Sequence, residues 1–298
     1  MIMSGIVKLS DDGKVVKYVL EEDALHITIP EGAEVIGVGA LSGSKSLQSI
    51  DLPKSLIRIE EYAFLSCHSL KSITIPDSVT VIERYAFANC DSLQSFDIPA
   101  SVREIDSRVF DHCFALQSIN VAEGNQHFAS IDGVLFNRER TVLIKYPTGR
   151  PDEQYSIPDG VKVIGDSAFS ECRSLQRVEI PDSVTTIENS AFSGCALLQS
   201  IVLPEGVTTV MEWAFSFCDS MQSIVIPASI TEIEEFALQS CYLLKSIHCR
   251  SRDLEGLKID STVFGEYPCG CTLYVPTGTA DAYKAHPAFE DFKQIVEE

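Results

Sequence analysis

Cysteine is the residue type with the most chemical potential in this 298-residue chain, since ten cysteines occur. Seven of them recur at intervals of 23 residues within two blocks: Cys67, Cys90 and Cys113, then Cys172, Cys195, Cys218 and Cys241. Thiols at one repeat position predict a ladder of reduced core residues, because buried cysteine behaves as a small hydrophobic side chain. Disulfides between neighbouring rungs and a metal site are the alternatives.

Three cysteines fall outside this set. Cys249 takes a core strand position, whereas Cys269-Gly-Cys271 precedes the last predicted strand. A local metal or redox site at that pair is an open alternative.

Other catalytic patterns give no usable signal. The six histidines share no repeat position and no ligand spacing: His26, His68, His112, His127, His248 and His286. Dinucleotide, Walker, zinc-protease and nucleophile-elbow motifs are missing from the sequence, and the acids are scattered along loops. We therefore predict no enzyme, no catalytic residue, no cofactor and no bound metal. A hydrolase built on an acid pair is the enzymatic alternative.

The net negative charge of the chain reduces the range of partners that we expect. The sequence has 43 acidic residues against 23 basic ones, a formal net charge of −20. This argues against nucleic acid and anionic lipid, both of which need a basic face. No segment approaches the roughly 20 apolar residues of a membrane helix. The first residues lack the basic and apolar regions of a signal peptide, so either a leader is absent from this sequence or the protein stays inside the cell.

A 23-residue repeat positions these side chains. Its prolines are Pro30, Pro53, Pro76, Pro99, Pro158, Pro181, Pro204 and Pro227. Eleven residues after each proline stands a large apolar residue: Leu41, Phe64, Phe87, Phe110, Phe169, Phe192, Phe215 and Leu238. A fixed period of this length predicts a solenoid, in which each unit buries its apolar face against its neighbours.

One repeat shows the local structure that we expect. Ile73 and Ile75 alternate with polar residues just before Pro76, which predicts a short strand with one buried face. Proline lacks an N–H, so it ends the strand. The Ala86-Phe87-x-x-Cys90 piece is too short for a long helix and is predicted to form one or two helical or 3₁₀ turns.

The unit Leu-x-x-Ile-x-Ile-Pro-x-x-Val-x-x-Ile-x-x-x-Ala-Phe-x-x-Cys, as in Leu70 to Cys90 and Leu175 to Cys195, resembles the BspA-like, or Treponema pallidum-type, leucine-rich repeat. The resemblance covers roughly residues 24–276. It implies an α/β-type solenoid, a right-handed superhelix with short parallel strands on the concave face and helical or 3₁₀ turns outside. It also implies adhesion and binding of host or matrix proteins.

Three segments depart from the repeat, and we interpret them as an N-terminal cap, an insertion and a C-terminal cap. Residues 1–23 contain two apolar runs around Asp11-Asp12-Gly13, which predicts a β-hairpin cap. Residues 24–276 form the predicted solenoid. Within it, residues 122–157 form an irregular coil with a hairpin at 133–144, either a tolerated loop or one rim of the binding face. Residues 277–298 are predicted to form a helical C-terminal cap, with a second helix through 289–296.

The candidate binding surface follows from the pleat. If Ile73 and Ile75 point inward, Ser72 and Thr74 point outward on the same strand. The outward residues chosen as binding candidates are Asp51, Thr74, Asp97, Asn120, Arg177, Glu179, Val202, Val225 and His248. The bland alternative is a generic polar wall, since repetition requires only solubility here. An exposed valine pair beside His248 is typical of a small apolar binding patch.

The predicted function is a non-enzymatic module that binds a protein or glycan through its concave face, in a secreted or surface-displayed bacterial protein. The second half of this prediction rests on fold analogy. An intracellular protein-interaction scaffold is the alternative, favoured by reduced cysteines.

Overall fold

A computed structural model describes residues 3–4, 7–21, 23–265 and 270–298. The chain forms two compact units, each described by itself below. Unit 1 contains Met1–Glu139 and Lys145–Arg150, and unit 2 contains Arg140–Ile144 and Pro151–Glu298. Cys269, one half of the predicted Cys269-Gly-Cys271 site, lies outside the described residues.

Short strands make up nearly all of the regular structure. Up to residue 139 they are β1 (Met3–Ser4), β2 (Val7–Leu9), β3 (Val15–Val19), β4 (His26–Thr28), β5 (Val35–Ile36), β6 (Ser49–Asp51), β7 (Arg58–Ile59), β8 (Val81–Ile82), β9 (Ser95–Ile98), β10 (Glu104–Ile105), β11 (Ser118–Val121), β12 (Phe128–Ile131) and β13 (Val134–Asn137).

The remaining elements are β14 (Val142–Lys145), β15 (Gln154–Ser156), β16 (Val163–Ile164), β17 (Arg177–Glu179), β18 (Thr186–Ile187), β19 (Ser200–Val202), β20 (Thr209–Val210), β21 (Ser223–Ile226), β22 (Glu232–Ile233), β23 (Ser246–Cys249), β24 (Lys258–Ile259), β25 (Thr272–Val275), α1 (Ala280–Ala285), a 3₁₀ helix (Pro287–Phe289) and β26 (Gln294–Glu297).

The strands at the Ile-x-Ile position of the repeat, and those that continue the series, pair in parallel, as predicted. In unit 1 these pairs are β4 with β6 and β9 with β11. In unit 2 they are β15 with β17, and a five-stranded sheet β19-β21-β23-β25-β26. We call this surface the long-strand sheet. The coil of Ile73 and Ile75 keeps the predicted burial alternation but forms no assigned strand, since its flanking amide bonds are long, at 3.4 Å from Lys71 to Gln48 and from Gln94 to Lys71.

A second parallel sheet, which we call the short-strand sheet, was not predicted. Each repeat adds a two-residue strand after its proline, such as β7, and neighbouring copies pair in parallel. The order is β3-β5-β7-β8-β10 in unit 1 and β14-β16-β18-β20-β22-β24 in unit 2. The β-branched residues at these positions suit a pleated, half-buried surface.

The predicted helical or 3₁₀ turns are consecutive hydrogen-bonded turns instead. Alternate amides bond in two directions. Ala63 N donates within its own coil to Glu60 O at 3.2 Å, whereas Phe64 N donates to Ala86 O of the next coil at 2.8 Å. Tyr62 and Ser66 adopt left-handed backbone conformations, with φ of 59° and 60°. A helix would keep these hydrogen bonds within one coil, so the coil-to-coil bonds explain why no helix forms.

Stacked phenyl rings fill the interior of each unit. In unit 1 the ring centroids of Phe64 and Phe87 lie 4.9 Å apart at an interplanar angle of 7°. In unit 2 Phe192 stacks between Phe169 and Phe215, at 4.8 and 5.2 Å. All five rings are fully buried. The predicted leucine-rich repeat solenoid, with a continuous apolar core in each unit, is therefore confirmed.

The predicted cysteine ladder is also present, and it has a hydrogen-bonding role. All nine described cysteines are free thiols. Six ladder thiols donate to the backbone carbonyl 26 residues earlier, at 3.1–3.3 Å: Cys67, Cys90, Cys113, Cys195, Cys218 and Cys241. Burial raises the pKa of Cys67 and Cys113 to about 12. The column holds small buried side chains, and the buried Ser44 occupies the same position in the first coil.

The N-terminal hairpin prediction agrees with the antiparallel pairing of β2 and β3. Strand β3 then pairs in parallel with β5, so it serves as the first rung of the short-strand sheet.

The insertion contains the two predicted strands, β13 and β14, and one that was missed. Strand β12 pairs antiparallel with β13 around Asp132-Gly133. Asn125 precedes this hairpin and is fully buried. Its side-chain Nδ2 donates to Pro99 O and Val102 O. Its Oδ1 accepts hydrogen bonds from the backbone N–H groups of His127 and Phe128.

Buried polar contacts also hold the end of the insertion, residues 145–149, against the preceding coil of unit 1. Lys145, almost fully buried, pairs through Nζ with Asp111 Oδ1 at 2.9 Å. Thr148 Oγ1 donates to Cys113 O and Gly149 N donates to Leu116 O, both at 2.8 Å. This segment is therefore an ordered part of the coil.

At the C-terminus the first predicted helix exists as α1, and the second does not. Residues 294–297 form β26, which pairs in parallel with β25. Glu297 on this strand accepts a hydrogen bond from Ala280 N at 3.0 Å and so caps α1. The helix prediction through 289–296 is wrong because a free sheet edge offers Ile295 and Val296 a backbone partner that local periodicity does not reveal.

We expect Phe192→Ala to lower the free energy of unfolding by about 3–5 kcal/mol, because it opens a cavity between two stacked rings. Phe192→Leu should cost less, since Leu41 and Leu238 occupy the same column. Urea denaturation followed by circular dichroism measures both. The control Leu197→Ala, at a side chain that is 47% exposed, should stay within about 0.5 kcal/mol of wild type. Equal losses for Phe192→Ala and the control would contradict the stacked core.

The thiols predict a pH dependence. Cys67 and Cys113 hold their protons to about pH 12 when folded, whereas unfolded thiols lose them near 9.0. The unfolded state therefore binds fewer protons between these values, and stability falls as the pH rises through this window. Each thiol contributes about 1.4 kcal/mol per pH unit.

Replacing both thiols, as Cys67→Ser with Cys113→Ser, should reduce the slope of unfolding free energy against pH by about 3 kcal/mol per unit. Urea titrations between pH 10 and pH 11.5 measure this slope, because unfolded thiols are mostly ionised in this range and the folded ones are not. Serine is the suitable replacement because Ser44 fills the same position. Parallel profiles for the two proteins would exclude a contribution from the ladder.

Candidate functional site

The predicted site residues of unit 1 lie on the outward side of the long-strand sheet, and their side chains bond to one another. All four are exposed: Asp51, Thr74, Asp97 and Asn120. Asn120 Nδ2 donates to Asp97 Oδ1 at 2.9 Å. Asp51 Oδ2 lies 3.2 Å from His26 Nε2. Asp51 and Thr74 also line an open cavity of about 750 Å³. This part of the surface is polar, and both of its aspartates have a polar side-chain partner.

Unit 2 begins with a charged strand. Arg177 and Glu179 both project from β17, where Arg177 Nη2 lies 3.5 Å from Glu179 Oε1. Glu179 also accepts a hydrogen bond from Ser156 Oγ at 2.7 Å. Both charged side chains are largely exposed, so their mutual attraction contributes little to stability.

The remaining predicted residues are brought together, and strand pairing extends their row. Residues directly opposite one another along β19, β21, β23, β25 and β26 are Val202, Val225, His248, Tyr274 and Val296. We call this set the C-terminal row. Neighbouring strands lie about 4.8 Å apart, so the row is about 19 Å long. The structure thus places the valine pair and His248 within one continuous line of side chains.

Two aromatic rings form the centre of the row. The rings of His248 and Tyr274 stack with centroids 4.5 Å apart and an interplanar angle of 5°. His248 Nδ1 lies 2.9 Å from Glu298 Oε1, which fixes the imidazole from the C-terminal side. Val202 and Val296, at the two ends of the row, are 56% and 43% exposed. The row therefore presents apolar side chains on both sides of a rigid ring pair.

Small polar residues run beside the row. The neighbouring outward positions are Ser200, Ser223 and Ser246, followed by Thr272 and Gln294. Serine side chains are short, so a ligand can approach the sheet closely here. Gln294 accepts a hydrogen bond from Thr272 Oγ1 at 2.9 Å.

Sequence analysis missed Tyr274 and Val296. Tyr274 was assigned to the last strand without being placed in the outward column, and Val296 was assigned to a helix. A usable signal was present in Gln294-Ile-Val-Glu297, where adjacent β-branched residues favour a strand.

Several acids that were predicted to be scattered have a repeated structural role. Carboxylates of one column accept the backbone N–H of a residue about 22 positions earlier, at 2.9–3.2 Å: Glu60, Glu83, Glu188 and Glu234. These acids link neighbouring coils, so part of the negative charge supports the fold. In the described parts of the chain, no group of three or more acidic, histidine or cysteine side chains could hold a metal ion.

The comparisons identify the family. The BspA type leucine rich repeat region matches in six copies, over residues 20–141 and 152–267. The chain belongs to this family. Its members are leucine-rich repeat proteins, a class that typically binds protein or other ligands and is generally non-enzymatic. A comparison with curated protein sequences finds no match. Within the described ranges, no helix combines the length and apolar character needed to cross a bilayer.

Solved bacterial structures share this fold. The pneumococcal vaccine antigen PcpA is 25% identical with a TM-score of 0.72, and the match covers 98% of this chain and 82% of that one. A leucine-rich repeat protein from Eubacterium ventriosum is 20% identical, with a TM-score of 0.72 and coverages of 93% and 84%. A leucine rich cell surface protein from Faecalibacterium prausnitzii is 24% identical, with a TM-score of 0.53 and coverages of 83% and 94%.

Proposed function

We propose that this protein is a non-enzymatic binding module, displayed on or secreted from a bacterial cell, that recognises a protein through the long-strand sheet of unit 2. The observation that carries the proposal is the C-terminal row, whose end residues Val202 and Val296 are exposed and whose three middle side chains are half-buried. The same outward column is polar in unit 1, at Asp51, Thr74, Asp97 and Asn120, so the fold does not require apolar residues there. Exposed apolar side chains in a continuous line are typical of an interaction site.

The chemistry of the row favours a protein ligand over a glycan. A sugar ring stacks on a free aromatic face, but Tyr274 and His248 already cover one face of each other. Val202, Val225 and Val296 offer apolar contact that suits aliphatic or aromatic side chains of a partner. Tyrosine is enriched among the residues that dominate protein interfaces, which makes Tyr274 the expected anchor.

The polar residues predicted for the same surface complete the proposed interface in unit 2. Arg177 and Glu179 would take charged groups of a partner at the edge of the contact, where such groups influence association rate and specificity more than affinity. In unit 1, Asp51, Thr74, Asp97 and Asn120 form a separate polar surface that would take cationic or hydrogen-bonding groups.

Location outside the cell is supported by the pneumococcal relative, whose name describes a vaccine antigen. Free thiols favour the alternative, an intracellular scaffold. The free thiols of this protein are, however, weak evidence for either location. The thiolate is the form that reacts with oxidants, and burial raises the pKa of Cys67 to about 12. Such thiols resist oxidation in either compartment.

The test is binding of purified protein to a panel of extracellular-matrix and serum proteins, with a glycan array in parallel. We expect Val202→Asp with Val225→Asp to weaken any protein ligand at least about tenfold, because two carboxylates would be buried without partners in the interface. Surface plasmon resonance measures the affinities.

A matched control is Leu197→Asp with Leu243→Asp, which adds the same charge at two other exposed apolar residues of unit 2. This variant should bind like wild type. Unchanged binding by the Val202 and Val225 variant would remove the C-terminal row as the site, and a glycan ligand alone would overturn the protein assignment.

A further inference from the structure

A second exposed cluster in unit 2 lies on the turn side of the coils, away from the long-strand sheet. The Trp213 ring stacks on Phe217, with centroids 6.2 Å apart at 9°, and lies 4.7 Å from Phe236. The Phe217 side chain is 46% exposed. Three aromatic rings therefore form a platform that is partly open to solvent.

The fold does not require aromatic residues at these positions. Trp213, Phe217 and Phe236 have left-handed backbones, with φ of 60°, 56° and 56°. Side chains with a Cβ pay about 1–2 kcal/mol for this conformation, and glycine does not. Some equivalent positions in other coils hold small residues, at Gly39, Gly43, Ser167, Ser190 and Gly194, whereas Tyr62 and Tyr85 of unit 1 are aromatic like Trp213 and Phe236. The repeat therefore accepts glycine, serine or an aromatic residue in this conformation, so the aromatic side chains of unit 2 are not dictated by the fold.

Carboxylates lie next to the platform, since Glu212 and Glu235 directly precede Trp213 and Phe236 in the sequence. An open cavity of about 490 Å³ is lined by Glu212, Glu232, Glu234, Glu235 and Asp260, with Lys258 as its one basic residue. Glu212 Oε1 accepts a hydrogen bond from Trp213 Nε1 at 2.8 Å, which places a carboxylate at the ring edge. Among the described residues, none of these four glutamates forms an ion pair. The combination of ring faces and unpaired negative charge favours a cation.

Unit 1 shows which cation suits these repeat positions. Glu83-Arg84-Tyr85 occupies the columns of Glu234-Glu235-Phe236. The Arg84 guanidinium lies over the Tyr85 ring, 4.8 Å from its centroid, and Arg58 Nη1 pairs with Glu83 Oε1 at 2.5 Å.

In unit 2 both arginines are replaced. The Arg84 position holds Glu235, and the Arg58 position in the coil before Glu234 holds Thr209. The same ring and carboxylate columns therefore remain, without the guanidinium groups that accompany them in unit 1.

We propose that Trp213, Phe217 and Phe236, with Glu212, Glu232 and Glu235, form a docking surface for an arginine-bearing segment of a partner protein. A guanidinium group stacks on the rings and pairs with a neighbouring carboxylate. Arginine fits better than lysine because its planar group stacks and forms forked hydrogen bonds.

Trp213 is the single tryptophan, so its fluorescence reports directly on this surface. We expect hexa-arginine peptide, added at about 0.15 M salt, to change the Trp213 emission in a saturable manner. Hexa-lysine should require a concentration about three- to fivefold higher, since its cation–π contact is weaker.

Two variants test the parts of the surface. Glu212→Gln with Glu235→Gln should weaken hexa-arginine binding at least about tenfold, and glutamine can still accept the Trp213 hydrogen bond. Phe236→Ser should abolish the preference for arginine over lysine, and it should fold because Ser167 and Ser190 occupy the same column.

The matched control removes the same charge elsewhere in unit 2, as Asp159→Asn with Asp182→Asn, and should change the affinity less than about twofold. Equal weakening by the control would assign the binding to the net charge of −20 rather than to this surface. No saturable emission change, or an unaltered arginine preference in Phe236→Ser, would overturn the proposal.

Discussion

Each coil of this protein depends on the coil beside it, both for its hydrogen bonds and for burial of its large apolar residue. Phe64 N bonds to Ala86 O of the next coil, and the Phe64 ring stacks on Phe87. Cys90 Sγ returns a hydrogen bond to Phe64 O. Backbone, ring and thiol thus all connect the same two neighbours, and one coil alone would leave each of these groups without a partner.

This dependence makes the inward columns predictable from sequence. A residue such as Phe192 must be large, apolar and repeated, because its neighbours in the stack are the same residue type. The thiol column obeys a similar rule, with Cys195 small enough for the core and able to donate to Phe169 O. Periodicity alone therefore identified the core, the long strands and the ladder.

Features that lack periodicity were missed or misassigned. The pairing partner of β26 is β25, about 20 residues away, and no local pattern in 289–296 reveals an open sheet edge. Tyr274 lies in the C-terminal row through the pairing of β25 with β23, and Val296 through the pairing of β26 with β25. The turns were read as helical because Ala-Phe-x-x-Cys spacing fits one helical turn, whereas coil-to-coil hydrogen bonds and left-handed residues such as Tyr62 decide the conformation. The outward direction of the long-strand residues follows from the alternation in sequence, whereas the sequence names no ligand for this face, since outward residues carry no fold requirement.

The identity of the outward residues varies without affecting the core, so the fold does not explain the apolar residues on the two proposed surfaces. The repeat tolerates Ser190 where it has Trp213, and Thr74 where it has Val202, at no cost to the core. Both apolar departures fall within the coils that span residues 200–240 of unit 2. A residue with a Cβ accepts the same left-handed backbone whether it is serine or tryptophan, so the aromatic rings at Trp213, Phe217 and Phe236 are not required by the backbone. The docking surface proposed above gives these rings a use that the repeat itself does not.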